Sequence, residues 1–566
     1  MDANRGAALG FAGEKGGVAS DPGSGLLVAF DGELFVGRPV TGTEAAQTVL
    51  AGWLEHGARW RPPDGWFAAA VWDPRTGTLG LVTDHMGHVP LYVAQTAGTT
   101  IVAGELKALV AAGLDPALDP QAWAEMLAYE HPLGEHAPLA GVRALPAATT
   151  LVLQKDGTEQ RWRWWRYLVE PAADGDVREL ADEVARLLGR AVVERLEPAS
   201  GLALSGGLDS RSLATVVAAY APETLALTWG APGSEDLRYG AEIARLSGLP
   251  HRSCPLEPGY MAAGAAETVW LGEGHVRCLH AHHLVVRPFR SRVGLRSLVI
   301  GFGGDPVLRD FKFSLLPRLS EDAFAHAFHA QRAGCISDDL LEQIFMPRFA
   351  AELRGRARES LARHLAEEPG ARYSRVLQFI WNHNHRRKVL PAAWLFRDDL
   401  PPRDPFDDPE LIELGRRMST ALRRAGQLQC HYLRRFPALA SVRSPKDGLP
   451  PALTGRRRRL AAFRVKAQRR FRAEAEGRVG LRRLPDHRGL GDYATELRGG
   501  SSALLDVLLE QRTLARGQLR EETVRRLLSD TQRGRARHTR ALGMLLTLEL
   551  FQRQFLDGDG LTAEEP

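Results

Sequence analysis

The string Ser205-Gly206-Gly207-Leu208-Asp209-Ser210 is where residue types and spacing could do chemistry in this 566-residue sequence. Paired glycines let a backbone approach an anion closely and take conformations other residues avoid. The residues that follow have a helical pattern, and a helix N-terminus offers free N–H groups and a positive dipole end to phosphate. Ser205 and Ser210 add hydroxyl donors. Asp209 would repel a bare phosphate, so its place in the string implies a bound Mg²⁺. The string lacks the Gly-x-x-x-x-Gly-Lys-Ser/Thr spacing of the loop used by γ-phosphate kinases and motors, which disfavours those classes.

The elements that must position this loop are a strand before it and a helix after it. Gly201–Leu204 is a short apolar run, and Ser210–Tyr220 reads as a helix. Helical stretches at Val177–Arg195 and Leu237–Ser247 alternate with apolar runs at Leu225–Trp229 and Leu298–Ile300. Such alternation predicts a parallel sheet with covering helices. Upstream, residues 26–30, 67–73, 78–84, 90–96 and 149–155 are rich in β-branched and aromatic residues and bounded by Gly, Asp and Pro. They read as strands, with Asp31-Gly32 and Asp156-Gly157 as turns between antiparallel neighbours and Pro120–Tyr129 as a helix. The fold class expected is therefore α+β for the first part and α/β for the second, mostly helical from about residue 320 to Phe555. The expected division is a loose N-terminus (1–24), a first domain (25–170), a second domain (176–556) and a loose C-terminus (557–566).

Composition narrows the class. With 44% hydrophobic, 25% charged and 7% aromatic residues, neither disorder nor a fibrous repeat fits. No run of 18 apolar residues suggests a membrane span, and the first residues make a poor signal peptide. Cys254, Cys278, Cys335 and Cys430 lie too far apart for a disulfide scaffold or a Cys-rich zinc site. A reducing, cytoplasmic setting is expected. Lysine occurs only seven times among the 73 basic residues, so any step that needs a lysine has few candidates. Residues 456–473 carry nine basic side chains and no acid. They read as a solvated helix face or a surface for an acidic substrate or partner; nucleic acid is disfavoured because no aromatic platform accompanies the charge. His280, His282 and His283 lack a nearby carboxylate and read as surface or pocket-lining residues rather than metal ligands. Trp162, Trp164 and Trp165 are expected between the domains, and Asn382–Arg387 is a candidate substrate surface.

The Ser205–Ser210 string resembles the pyrophosphatase loop of amide ligases that release pyrophosphate from ATP, and residues 25 to 555 as a whole resemble the asparagine synthetase-like family. Phe30-Asp-Gly-Glu-Leu34, Asp64–Asp73, Asp84-His-Met-Gly-His-Val-Pro-Leu-Tyr92 and Gly104–Leu109 are similar to its class II glutamine amidotransferase domain. Gly301-Phe-Gly-Gly-Asp305 and Asp404-Pro-Phe-Asp-Asp408 are similar to elements of its synthetase half. The resemblance implies an Ntn-type amidotransferase-like sandwich followed by an ATP-pyrophosphatase domain with a parallel sheet and many helices. It implies that Ser205, Gly206, Gly207, Leu208, Asp209 and Ser210 bind the pyrophosphate end of ATP, that Asp209 and Asp305 hold Mg²⁺, and that Leu204, Thr228 and Gly301 lie near the adenosine. The chemistry implied is adenylation of a carboxylate, release of pyrophosphate and capture of the acyl group by an amine.

Three departures from the family pattern shape the expectation. A glutamine-hydrolysing member uses a cysteine directly after Met1; here Asp2 stands there and the first cysteine is Cys254, so no glutaminase activity is expected. The Asn-Gly that stabilises the oxyanion appears here as Asp64-Gly65, which would place a negative charge beside a developing one and also argues against glutaminase activity. Phe302 stands where asparagine synthetase has an acid and β-lactam synthetases a tyrosine, which suits an α-amine of pKa near ~8 better than ammonium. The lysine that neutralises the intermediate has three candidates, Arg458 (or its neighbour Arg459) by spacing, Lys466 and Lys446 by type. Within the family the lasso peptide macrolactam cyclases resemble this combination best. That implies a leader-processed precursor peptide as substrate, with a leader peptidase and a leader-binding protein as partners. A β-lactam or other small-molecule amide synthetase, ammonia-dependent asparagine synthesis and a catalytically dead scaffold are the alternatives.

Overall fold

In the computed structural model, which describes residues 8–10, 14–96, 98–170, 175–309, 319–423, 426–478, 490–534 and 538–560, the first ten strands form two antiparallel sheets. They are β1 (Gly17–Ser20), β2 (Leu27–Phe35), β3 (Pro39–Val40), β4 (Gly65–Asp73), β5 (Thr78–Thr83), β6 (Tyr92–Thr96), β7 (Thr99–Ala103), β8 (Val142–Ala144), β9 (Thr149–Leu153) and β10 (Glu159–Arg163). The larger sheet runs β1-β2-β4-β5-β9-β10 with β3 beside β2, and the smaller runs β7-β6-β8. Alternation along β4 explains the layers. Phe67, Ala69 and Val71 pack on the helix Gly42–His56, whereas Ala68 faces Leu91, Val93 and Leu145 at the second sheet. Both faces are buried, which makes a sandwich.

Five parallel strands organise the second domain: β11 (Ser200–Ala203), β12 (Leu225–Gly230), β13 (His251–Pro255), β14 (Ser297–Val299) and β15 (Pro402–Arg403), in the order β13-β12-β11-β14-β15. The chain moves outward from β11 through β12 to β13, then returns to the other side of β11 as β14. That reversal opens a crevice at the carboxyl ends of β11 and β14, the place where open α/β sheets bind ligands. Helices cover the sheet, and one large apolar core joins Tyr92, Trp123 and Met126 of the first domain to Phe328, Phe379 and Phe551 of the second.

Several expectations need correction. Asp31-Gly32 is no turn: both residues lie inside β2, where Gly32 has φ +120° and a Cβ would sit 2.0 Å from the Trp66 carbonyl oxygen. The glycine permits close approach of β4. Asp156-Gly157 does turn the chain between β9 and β10. The loose N-terminus shortens, because Gly17–Ser20 pairs with β2. At the other end Asp557 and Asp559 are ion-paired to Arg512, so the chain is tied down beyond 556; residues 561–566 lie outside the described residues. The helix Gly42–His56 was not legible as such in the sequence. Among the described residues no helix is long and apolar enough to cross a membrane. All four cysteines are free and buried.

Candidate active site

The Ser205–Ser210 loop leaves β11 and enters the helix Leu208–Tyr220, with Gly207 as its N-cap. The Ser205 N–H donates to Ser210 Oγ at 3.1 Å, and the Gly207 N–H to Ser205 Oγ at 3.2 Å, so the two serines close the loop on itself. Asp236 Oδ1 accepts from the Gly206 N–H at 3.0 Å. Arg211, fully buried, donates to the carbonyls of Gly206, Leu439, Val442 and Arg443 and clamps the loop to the segment that leads to Lys446. Gly206 is required by packing, since a Cβ would lie 2.7 Å from Pro445.

Asp209 and Asp305 face each other across the crevice. Burial, and next the charge of Asp305, push Asp209 up to about 6. Asp305 is pushed the same way by burial, yet Arg309 and Lys446 outweigh this and hold it below the usual carboxylate range. Arg309 Nη1 reaches Asp305 Oδ1 at 2.8 Å, Lys446 Nζ binds Asp305 Oδ2, and Gln429 Nε2 donates to Asp209 Oδ1 at 2.7 Å. Gly304 must be a glycine here, because a Cβ would lie 2.5 Å from Asp209 Oδ1. Two hard-oxygen carboxylates, one of them reluctant to ionise beside the other, fit a divalent cation such as Mg²⁺. Among the described residues no group of three or more His, Cys, Asp or Glu side chains could hold a metal by itself, so phosphate oxygens and water would complete the shell.

Behind this loop stands a buried brace. Asp404 Oδ2 accepts from the Gly303 N–H at 2.7 Å, and Asp407 Oδ1 lies 2.5 Å from where a Gly303 Cβ would be. Asp407 is held by His88 of the first domain: His88 Nε2 meets Asp407 Oδ2 at 2.9 Å while Nδ1 meets Asp84 Oδ1 at 2.9 Å. The imidazole stacks on Trp66 with centroids 3.8 Å apart. His88 is pushed up to about 9, because the two carboxylates overcome its burial. Two further ties cross the same boundary: Glu33, bound to Lys15, takes both Arg403 Nε and Nη2, and Asp64 pairs with the buried Arg195.

The structure brings some expected residues together and not others. Leu204 is buried and donates its N–H to the Leu227 carbonyl at 2.8 Å. Gly301 forms the floor under Asp209, where a Cβ would lie 3.5 Å from the Asp209 Cβ. The Thr228 hydroxyl is turned to His251 Nε2 at 3.0 Å and packed beneath Gly240, so its side chain does not line the crevice. Of the three basic candidates, Lys446 is at the carboxylates. Arg458 pairs with the adjacent Asp447 at 3.0 Å. Lys466 is exposed on the helix Gly455–Arg478, eight residues or about 12 Å of helix rise beyond Arg458. Asp64-Gly65 is built into the domain junction: the Asp64 carboxylate is taken by Arg195, its carbonyl accepts from the Phe35 N–H at 2.7 Å, and Gly65 is paired within the sheet. Asn382–Arg387 is no solvent-facing substrate surface, because His383, His385 and Arg387 are buried at the domain junction. Trp165 does bridge the domains, donating to Glu413 Oε1 at 3.1 Å. Phe302 stands edge-on to His283 with centroids 6.0 Å apart, and His283 in turn meets the rings of Trp229 and Phe396. Arg309, Gln429, Arg211 and His88 escaped sequence reading. Arg309 carried a signal, one helical turn beyond Asp305, and His88 lay within the Asp84–Tyr92 motif without a role of its own.

A self-closed Gly-rich loop and a carboxylate pair at the switch point of a parallel sheet, beside an antiparallel sandwich, define an amidotransferase-plus-synthetase architecture. The family model described as asparagine synthase matches residues 183–553, and that described as glutamine amidotransferase domain matches residues 36–165. The chain belongs to the asparagine synthase family. It is 26% identical over 236 residues to a Mycobacterium bovis protein named as a glutamine-hydrolyzing asparagine synthetase, covering 40% of this chain and 36% of the relative. It is 30% identical over 220 residues to the carboxyethyl-arginine beta-lactam-synthase of Streptomyces clavuligerus, covering 37% of this chain and 39% of the relative. The matched region thus spans well under half the length of these curated relatives. A solved structure of the glutamine phosphoribosylpyrophosphate amidotransferase of B. subtilis aligns with 44% of this chain and 50% of its own, at 12% identity and a TM-score of 0.16.

Proposed function

We propose that the chain is an ATP- and Mg²⁺-dependent carbon–nitrogen ligase that adenylates a carboxylate, and that its product is a macrolactam joining the N-terminal amine of a processed precursor peptide to an Asp or Glu side chain. The observation that carries the ligase reading is the Asp209–Asp305 pair, coupled in charge and set beside the Ser205–Ser210 loop. With Mg²⁺ bound, the cation offsets the charge of the departing pyrophosphate. The loop's serine hydroxyls and the first-turn N–H groups of Leu208–Tyr220 cradle phosphate oxygens. A substrate carboxylate oxygen attacks the α-phosphorus and the bond to the bridging β-oxygen breaks. Lys446 and Arg309 keep positive charge beside Asp305 as pyrophosphate leaves. The amine nitrogen then attacks the acyl carbon, the acyl–phosphate bond breaks and AMP departs, while the ammonium proton passes to solvent.

Two features favour a peptide α-amine as acceptor. Phe302 supplies neither an acid nor a tyrosine at its own position, which suits an amine of low pKa. Residues 1–253, which include the whole region matched by the amidotransferase model, contain no cysteine to serve as a thiol nucleophile, which supports a reaction without glutaminase activity. A leader peptidase and a leader-binding protein would supply the processed peptide. The Streptomyces clavuligerus relative favours a second reading, ring closure or amidation of a small β-amino acid.

Pyrophosphate exchange into ATP, measured with a panel of carboxylates, separates these. Exchange only with Asp- or Glu-bearing peptides supports macrolactam formation, exchange with a small β-amino acid or free aspartate favours the other ligases, and an Asp209→Ala variant with full function overturns every ligase reading.

A further inference from the structure

A small cavity lies between the domains, bordered by Gly87 and Leu145 from the first and by His275, Arg386, Arg387 and Trp394 from the second. Its free space is about 10 Å³, the room of one water-sized particle. Arg386 and Arg387 sit in the stretch Ile380–Val389, which is wound as a π-helix, an uncommon winding frequent at functional positions. Arg386 Nη2 donates to the Leu145 carbonyl and Arg387 Nη2 to the His136 carbonyl at 2.6 Å, so each reaches into the first domain. The Nε atoms of both arginines are buried without a partner. Gly87, at φ +66°, makes room for this arrangement: a Cβ there would lie 2.8 Å from Arg386 Nε.

The charge does not balance. Among the described residues no carboxylate lies within ion-pair distance of Arg386, Arg387 or Arg163, whose charge also reaches Arg386. The acid felt at Arg386 is Asp84, and its oxygens are taken by the N–H groups of Phe67, Met86, Gly87 and His88 and by the His88 ring. The acids felt at Arg387 are Glu125, bonded to His136, and Glu135, paired with Arg161. The nearby imidazoles of His131, His275 and His383 are held neutral by burial and supply no negative charge. Burial, then the charges of Arg387 and Arg163, pull Arg386 down to about 9, still a cation at neutral pH. Buried positive charge of this kind is strongly unfavourable unless an anion meets it.

We propose that this cavity is a chloride site, in which a single-atom anion between Arg386 and Arg387 ties the first domain to the second. The small space favours a single-atom anion over sulfate and phosphate, which bring five heavy atoms. The site is independent of the ligase reading.

The test is thermal unfolding of the full-length protein at constant ionic strength, with sodium gluconate replaced stepwise by chloride, bromide or sulfate. A ligand that binds only the folded state raises the midpoint with the logarithm of its concentration. Chloride and bromide should do so, sulfate and gluconate should not, and Arg387→Gln should lose the response. Equal midpoints in gluconate and chloride, a response to sulfate as large as that to chloride, or an undiminished response in Arg387→Gln would each overturn the proposal. Should Arg387→Gln fail to fold, crystals of the native protein grown in bromide decide: an anomalous peak between the two guanidinium groups supports the site, and its absence at that position overturns it.

Discussion

Replacing His88 tests whether the first domain braces the adenylation loop. The imidazole is almost fully buried, bridges Asp84 and Asp407 at 2.9 Å on each side and stacks on Trp66. Its folded value of about 9, against an ordinary ~6.5, means that the folded state holds this proton more tightly than the unfolded chain. The sign follows: its stabilisation is fully present below about pH 6.5 and is lost as pH rises through about 9. A gap of roughly 2.5 units corresponds to about 3 kcal/mol. Urea unfolding of the wild-type protein should therefore show stability falling by that order between pH 6.5 and 9.5, and His88→Gln should remove most of the fall. At neutral pH the variant should lose about 3 kcal/mol or more, as expected when one partner of a buried charge pair is removed. In pyrophosphate exchange, loosening of Asp407 against Gly303 should lower kcat more than it raises the KM for ATP. An unchanged pH dependence of stability in His88→Gln would refute the charge assignment, and unchanged exchange kinetics in a folded variant would refute the brace.

Further outcomes follow from the same geometry. Asp209→Asn should lower pyrophosphate exchange by about a hundredfold or more. It should also raise the unfolding midpoint at pH 7.5 but not at pH 4, because a carboxylate raised to about 6 opposes folding only once it ionises. Gly304→Ala, with its Cβ 2.5 Å from Asp209 Oδ1, should abolish exchange while circular dichroism stays native. Lys446→Ala should slow exchange about tenfold to a hundredfold, Arg458→Ala less, and Lys466→Ala not at all. A Lys466 effect equal to that of Lys446 would show that the distal helix folds back onto the site.

Local chemistry made much of this protein readable without coordinates. The helices Pro120–Tyr129 and Val177–Arg195 were legible because Asp119 and Asp176 cap them and apolar residues recur at helical spacing. The Ser205–Ser210 loop was legible because paired glycines, serines and an aspartate between a strand and a helix have few other uses. Asp31-Gly32 misled, since a glycine demanded by a neighbouring strand looks in sequence like a glycine demanded by a turn. What only the tertiary structure decided lies at long sequence separation. It set Lys446 against Asp305 and left Lys466 exposed on its helix, although residue type alone offered both. It joined His88 to Asp407 across 319 positions, and it gathered Arg386 and Arg387 around a cavity with no carboxylate in reach among the described residues. Sequence carries propensity and spacing, which act over a few residues; the charge a buried group meets depends on which distant segments fold against it.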